Sequence, residues 1–309
     1  MKNIVMTGAT SFIGSSAARL LLGNNRVYAV ARKDSERLGR LPSSENLKLV
    51  FSSLGEIERV SEDIPSADVW VHLGWAGTKS QDRMDLSLQE RNVKDSMRAL
   101  QVAADLGCRR FIFSGSQAEY GPHKDRITES NACVPVSEYG KAKLAFGEKA
   151  LEFCKRQGID FVHARIFSVF GYDDNPASLI STCFHAFNRG GEVLLTECSQ
   201  RWNFLYIDDM AKALVALIGH RSSLSDEGCV YNIASDDTRT LRDFVESLYG
   251  LSRKKGGYVY GGRKVEEKDL FSLMPDITKL KRITGWKPET SFEDGVRLMM
   301  AEDEKNSEK

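Results

Sequence analysis

The sequence predicts an α/β fold: a doubly wound parallel sheet joined to a smaller, mixed C-terminal substrate-binding domain. Three observations predict it. Short apolar runs alternate with segments of helical periodicity through the first half, a glycine-spaced turn separates the first run from the first helix, and the pattern breaks after Gly171 into fewer strands and longer, glycine-punctuated loops.

Residues 4–6, 27–31, 47–51, 69–73, 111–114 and 161–166 are apolar runs of strand length. Helical periodicity predicts helices near 12–22, 57–61, 86–106 and 139–157, with Gly23 capping the first. Such alternation needs right-handed crossovers and therefore a parallel sheet covered on both faces. Beyond Gly171, the pairs Gly190-Gly191, Gly256-Gly257 and Gly261-Gly262 punctuate the chain, and strands are expected at 193–195 and 258–260. The segment from Leu205 to Met210 opens a helix expected to pack back on the first domain, and 229–234 is expected to add a sheet strand. Residues 1–169 with about 204–235 form the expected dinucleotide domain, and about 170–203 with 236–300 the substrate domain. Residues 301–309 form a polar tail expected to fray.

A chain of 309 residues, 41% hydrophobic and 28% charged, can bury a large core. Forty-three basic side chains balance forty-three acidic ones, so no global field recruits nucleic acid or an acidic membrane. The six cysteines include no CxxC pair and read as reduced thiols, and the five histidines show no ligand spacing, so no metal site is expected. No apolar run approaches the roughly 20 residues that span a bilayer. A cytoplasmic protein is expected.

The first turn is Thr7-Gly8-Ala9-Thr10-Ser11-Phe12-Ile13-Gly14. Glycines at its outer positions, between a strand and a helix, let main-chain N–H groups approach a pyrophosphate at the helix N-terminus, which makes the first half a Rossmann-type dinucleotide site. Gly8, Thr10, Ser11, Phe12, Ile13 and Gly14 are the expected cofactor contacts here. An NAD site places a carboxylate after the second strand, whereas a 2′-phosphate needs cations. This strand ends Ala31-Arg32-Lys33, with no acid before Asp34. Arg32 and Lys33 therefore favour NADP(H), with NAD(H) the alternative.

Tyr139 and Lys143 lie four residues apart in Tyr139-Gly140-Lys141-Ala142-Lys143, on one face of a helix. The ammonium is expected to lower the phenol's pKa, so that Tyr139 exchanges a proton with a substrate oxygen. Upstream, Phe111 to Gly121 delivers Ser114 and Ser116 at the C-terminal end of a strand, where open α/β sheets bind ligands. Either serine can polarise a reacting oxygen. Glycine turn, hydroxyls and YxxxK together point to nicotinamide-dependent redox chemistry at a carbonyl or carbinol carbon.

The segments TGATSFIG, FIFSGSQAEYG, SEYGKAK, RIFSVFG and FLYIDDMAKAL, in that order, together with Ile283-Thr284-Gly285-Trp286-Lys287-Pro288, resemble the extended short-chain dehydrogenases/reductases. The resemblance is to their nucleotide-sugar epimerase/dehydratase/reductase branch and spans nearly the whole chain. It implies that Ser116 is the catalytic Ser/Thr, Tyr139 the acid/base and Lys143 its partner. It implies further that Asn92 packs behind the site, that Leu73, Gly74 and Trp75 run along the cofactor with Ser114 beside them, and that Ser116, Gln117, Ser168 and Arg201 face the substrate. Three departures stand out. Ser11 replaces the middle turn glycine, Ser168 replaces an Asn, and Arg201 is one residue further from Phe204 than the usual diphosphate-contacting arginine.

Gln117 and Ala118 stand where 4,6-dehydratases of this branch carry Asp and Glu, and neither shuttles a proton, so dehydration is disfavoured. The leading expectation is NADPH-dependent reduction of an NDP-4-keto-6-deoxy sugar. An NAD-dependent NDP-sugar 4-epimerase is the alternative, and a non-catalytic NAD(P)-binding scaffold or sensor ranks third. The resemblance also implies a homodimer packed through the helices at 86–106 and 139–157.

Overall fold

Seven parallel strands form the central sheet in the order β11-β6-β5-β4-β1-β2-β3. In chain order these are β1 (Asn3–Thr7), β2 (Arg26–Ala31), β3 (Leu47–Phe51), β4 (Val69–His72), β5 (Arg110–Ser116), β6 (Asp160–Ile166) and β11 (Val230–Ile233). The computed structural model describes residues 1–123, 125–220, 228–265 and 271–307. Period-two alternation sorts the strand side chains onto two faces. Ile4 and Met6 of β1 join one buried cluster, and Val5 joins the other.

Helix α1 (Phe12–Leu21) and helix α5 (Ile207–Gly219) cover the first face, packing Ala17, Ala18 and Leu21 with Met210, Leu214 and Leu217. The segment opened by Leu205 thus returns to the sheet as expected. Helices α2 (Leu86–Asp105) and α3 (Glu138–Gln157) cover the second face with Ala99, Leu100, Ala103, Phe146 and Ala150. Side-chain caps start α1 and α3: Ser11 accepts from Gly14 N at 3.0 Å and Ser137 from Gly140 N at 3.1 Å.

The remaining elements are β7 (Val169–Phe170), α4 (Leu179–Arg189), β8 (Glu192–Leu194), β9 (Arg201–Asn203), β10 (Leu205–Tyr206), β12 (Thr238–Thr240), α6 (Leu241–Leu251), β13 (Gly257–Val259), α7 (Thr278–Thr284) and α8 (Phe292–Ser307). They form two-stranded pairs, β7 with β10, β8 with β13 and β9 with β12. α4, α6 and α8 gather a third core rich in aromatics, including Phe170, Phe184, Phe204, Phe244 and Phe292.

Three expectations need correction. Gly23 does not cap α1. The helix ends on Leu22 in right-handed conformation, and Asn25 Nδ2 reaches back to the Leu21 carbonyl at 2.9 Å, so no left-handed glycine is needed. Residues 57–61 lie within a 3₁₀ segment, Leu54–Glu62, interrupted at Glu56. The polar tail is helical as far as Ser307, because Asp303, 1% exposed, pairs with Arg189 at 2.6 Å and fastens α8 to α4. Among the described residues, no helix is long and apolar enough to cross a membrane, and no His/Cys/Asp/Glu group could hold a metal ion.

Candidate active site

Strand order reverses between β1 and β4, so the loops that follow them diverge and leave a crevice at the carboxyl ends of the strands. The glycine turn sits there. Gly8 has φ of 70°, and a Cβ on it would come within 2.7 Å of Gly74 N, so the turn packs directly on the 73–74 loop. A Cβ on Gly14 would strike the Gly8 carbonyl. Phe12 and Ile13, in the first turn of α1 where main-chain N–H groups have no intrahelical acceptor, line a cavity. Behind the turn, Thr7 Oγ1 meets His72 Nδ1 at 2.8 Å and His72 Nε2 meets Ser96 Oγ at 3.0 Å, tying β1 to β4 and α2. Burial pushes His72 down to about 3, so this clamp is neutral.

The cavity measures about 840 Å³ and runs from α1 across the ends of β5 and β6 to β8 and β9. Ser116, Tyr139 and Lys143 share its wall, as the spacing predicts. Ser116 Oγ accepts from Ala118 N at 3.2 Å and donates to Gln117 Oε1 at 3.1 Å. Lys143 Nζ donates to the Ser114 carbonyl at 2.7 Å and lies 4.1 Å from the Trp75 ring centroid. Burial pulls its ammonium down to about 7. The expected tuning of Tyr139 by Lys143 is not what this arrangement gives. Burial pushes the phenol up, and Arg83, 5.0 Å over its ring, is the main opposing charge, with the Ser116 hydroxyl adding to it. The physical reason is that Lys143 spends its hydrogen bond on a carbonyl and sits 5.7 Å from the Tyr139 ring.

The donor set fits a dinucleotide. The turn admits no side chains at Gly8 or Gly14, Phe12 and Ile13 of the first turn of α1 line the cavity, and the 32–35 segment touches the turn through Thr10 Oγ1 and Ser35 Oγ at 3.5 Å. Arg32 and Lys33 are exposed at this corner, and Arg32 pairs with Asp34 at 3.7 Å. Leu73 and Trp75 line the cavity, while Gly74 N faces Thr7 Oγ1 at 3.4 Å. Asn92 lies behind the wall, exchanging hydrogen bonds with Ala76 N at 3.0 Å and Ala76 O at 2.9 Å. Ser114 borders the cavity and donates to the His72 carbonyl at 3.2 Å.

At the far end, Gln117 and Ser168 line the cavity, and Ser168 Oγ accepts from Trp202 Nε1 at 2.9 Å. Arg201 does not line it: exposed on β9, its guanidinium donates to the Thr238 carbonyl at 2.8 Å. Alternation along β9 turns Trp202 inward in its place. Sequence reasoning missed Arg83, Trp202 and Arg263, all cavity-lining. No local spacing marks Arg83 or Arg263, and Trp202 was legible only as the neighbour of the arginine.

The NAD dependent epimerase/dehydratase family is matched over residues 4–234. The chain belongs to this family. An uncharacterized UDP-glucose epimerase of Bacillus subtilis (strain 168) is 25% identical over 312 residues, covering 95% of each chain. A UDP-N-acetyl-alpha-D-glucosaminuronate decarboxylase of Bacillus cytotoxicus is 24% identical, covering 96% of each. Among solved structures, UDP-N-acetylglucosamine 4-epimerase from Methanobrevibacter ruminantium M1, in complex with UDP-N-acetylmuramic acid, superposes with a TM-score of 0.84 at 23% identity, covering 97% of this chain and 99% of that one.

In this epimerase/dehydratase family member, the two residues that follow the cavity serine carry no carboxylate, and the cavity carboxyl of Asp174, pushed up by burial, comes from the segment after β7. Gln117 and Ala118 follow Ser116, and the next residue, Glu119, is fully buried, salt-bridged to Arg165 at 2.8 Å. Burial opposes its charge, yet His163 and Arg165 together hold its carboxyl below the ordinary range. Locked and ionised, it is no proton shuttle for a substrate.

Proposed function

We propose that this protein is an NADP(H)-linked oxidoreductase that reduces the carbonyl of a nucleotide-diphosphate sugar, an NDP-4-keto-6-deoxyhexose. The observation that carries the reading is the end of β2. The strand closes on Ala31, Arg32 and Lys33 follow where a ribose-binding carboxylate would stand, and the Thr10–Ser35 contact draws that segment against the glycine turn. The Arg32–Asp34 pair is exposed on both sides and holds the guanidinium weakly, leaving it available to a phosphate dianion. A cofactor recognised by its 2′-phosphate and exchanged each turnover suits net reduction.

When bound, the nicotinamide supplies a hydride to the carbonyl carbon. Tyr139 Oη transfers its proton to the carbonyl oxygen, and the Ser116 hydroxyl donates a hydrogen bond to that oxygen as negative charge builds there. A phenol whose pKa burial has raised is protonated at neutral pH, the form an acid in reduction needs. Arg83, over the Tyr139 ring, is the charge that favours the phenolate that remains, while Lys143 stays on the Ser114 carbonyl 5.7 Å from that ring. The missing acid and base after Ser116 speak against dehydration.

A 4-epimerase is the second reading, favoured by the names of similar proteins such as the UDP-glucose 4-epimerase of Lactobacillus helveticus. Mass spectrometry of the co-purified cofactor, with NADPH consumption over a panel of NDP-4-keto-6-deoxyhexoses, separates the two. The reductase reading expects weakly held NADP(H) and loss of nicotinamide absorbance with at least one sugar. Tightly held NAD⁺ with interconversion of two NDP-hexoses would replace it with the epimerase.

A further inference from the structure

Behind the cavity wall lies a buried ionic network that the reaction above does not use. Glu119 follows Ser116 by three residues at the end of β5 and is 0% exposed. Its Oε1 accepts from Ser116 N at 2.8 Å, closing a capping box with the Ser116 hydroxyl, and meets His163 Nε2 at 3.0 Å. Its Oε2 accepts from Arg165 Nε at 2.8 Å. Arg165 also lies 4.4 Å over the Tyr120 ring, whose hydroxyl donates to Asn232 Oδ1 at 2.7 Å. The network therefore spans β5, β6 and β11.

Room for it is built into two glycines. A Cβ on Gly115 would fall 2.5 Å from His163, and Gly147 of α3 lies against the same ring from the other side. α3 carries Tyr139 and Lys143, so the imidazole is clamped between the strand that ends in Ser116 and the helix that supplies its two partners. A buried carboxylate that accepts three hydrogen bonds from three separate groups is oriented, not adventitious.

We propose that Glu119 is a positioning residue for the active site: its carboxylate fixes the main chain of Ser116 at the cavity wall and supplies a buried negative charge behind Ser116, Tyr139 and Lys143. The charged and titratable groups around the pair are His72 from β4, Arg83 from the loop before α2, Glu119 from the end of β5, and His163 and Arg165 from β6, with Cys133 and Glu129 beyond Tyr120. Arg83 disfavours the ammonium of Lys143, whereas Glu119 favours it. Glu119 also opposes ionisation of Tyr139. Neutralising Glu119 therefore moves the titrations of Tyr139 and of Lys143 toward lower pH.

The inference rests on the reductase reading only for the direction in which activity follows that titration. The test compares wild type, Glu119→Gln, Glu119→Asp and the double variant Glu119→Gln/Arg165→Met, which leaves no stranded guanidinium if the single change fails to fold. Two readouts are taken: the pH profile of turnover, and a tyrosinate absorbance titration from which the Tyr139→Phe signal is subtracted. The Gln variants are expected to bind NADPH as wild type does, to lose about 10²-fold in kcat, and to shift the Tyr139 titration and the alkaline limb of kcat acidward by about one pH unit. The Asp variant, which keeps the charge at a shorter reach, is expected to lose kcat while its limb stays in place. Gln variants that fold, with wild-type kcat and an unmoved Tyr139 titration, would overturn the proposal. Lack of turnover with every sugar, while the titration still moves, would count against the reductase reading and leave Glu119 its role.

Discussion

Lys143→Met separates what the site needs from what the fold prefers. The side chain is 2% exposed, and burial lowers its ammonium from 10.5 to about 7. Each unit of that depression corresponds to about 1.4 kcal/mol. Near pH 7 the unfolded chain is fully protonated while the folded one is about half protonated, which sets a ceiling of about 4 kcal/mol on the cost of burial. The bond to the Ser114 carbonyl at 2.7 Å and the Trp75 ring at 4.1 Å are lost in the variant and offset part of that gain. A net stabilisation of about 1–2 kcal/mol follows, or a rise of about 2–4 °C in Tm. Because the folded pKa lies below the unfolded one, the unfolded state binds more protons between about 7 and 10.5, and wild-type stability climbs with pH across that window. The advantage of Met is therefore largest at neutral pH and fades as the solution becomes alkaline. Paired thermal melts at several pH values read it directly, alongside the loss of turnover. A Met variant less stable than wild type at pH 7, or a difference that does not change with pH, would refute the reasoning.

Replacing Arg32 and Lys33 by Ala is expected to weaken NADPH about 10- to 100-fold in a fluorescence titration and to leave NADH unchanged; equal weakening of both would mean that the two cations read no phosphate. Arg83→Ala removes the charge facing the Tyr139 ring, so the alkaline limb of kcat should move to higher pH by up to about one unit. An unmoved limb would show that solvent screens Arg83 from the phenol.

The sheet, its helices and the glycine turn were legible because each is a local pattern: period-two runs, helical spacing, and glycines where a Cβ would collide. The juxtaposition of Ser116, Tyr139 and Lys143 followed from strand-end position and a helical i, i+4 spacing. Arg201 shows where local reading fails. One residue of displacement along β9 flips the side chain to the opposite face, and Trp202 takes the cavity while Arg201 bonds the Thr238 carbonyl. The electrostatics of Tyr139 escape a local pattern for a related reason. Spacing reports that Lys143 shares a face with the phenol, but not that its ammonium is held by Ser114 or that Arg83 arrives from another loop. The Thr7–His72–Ser96 clamp and the Glu119–His163–Arg165 network join residues far apart in sequence, with no motif to announce them. Gly23 was a cap by rule alone; Asn25 satisfies that helix end instead.

Transfer of a proton from Tyr139 to a sugar carbonyl is tested most directly by Tyr139→Phe, which removes one oxygen and keeps the ring among Trp75 and Arg83. With an NDP-4-keto-6-deoxyhexose that wild type reduces, stopped-flow oxidation of NADPH should slow about 10²–10⁴-fold in the variant, with NADPH affinity and Tm preserved. Wild-type hydride transfer in the variant would contradict the account.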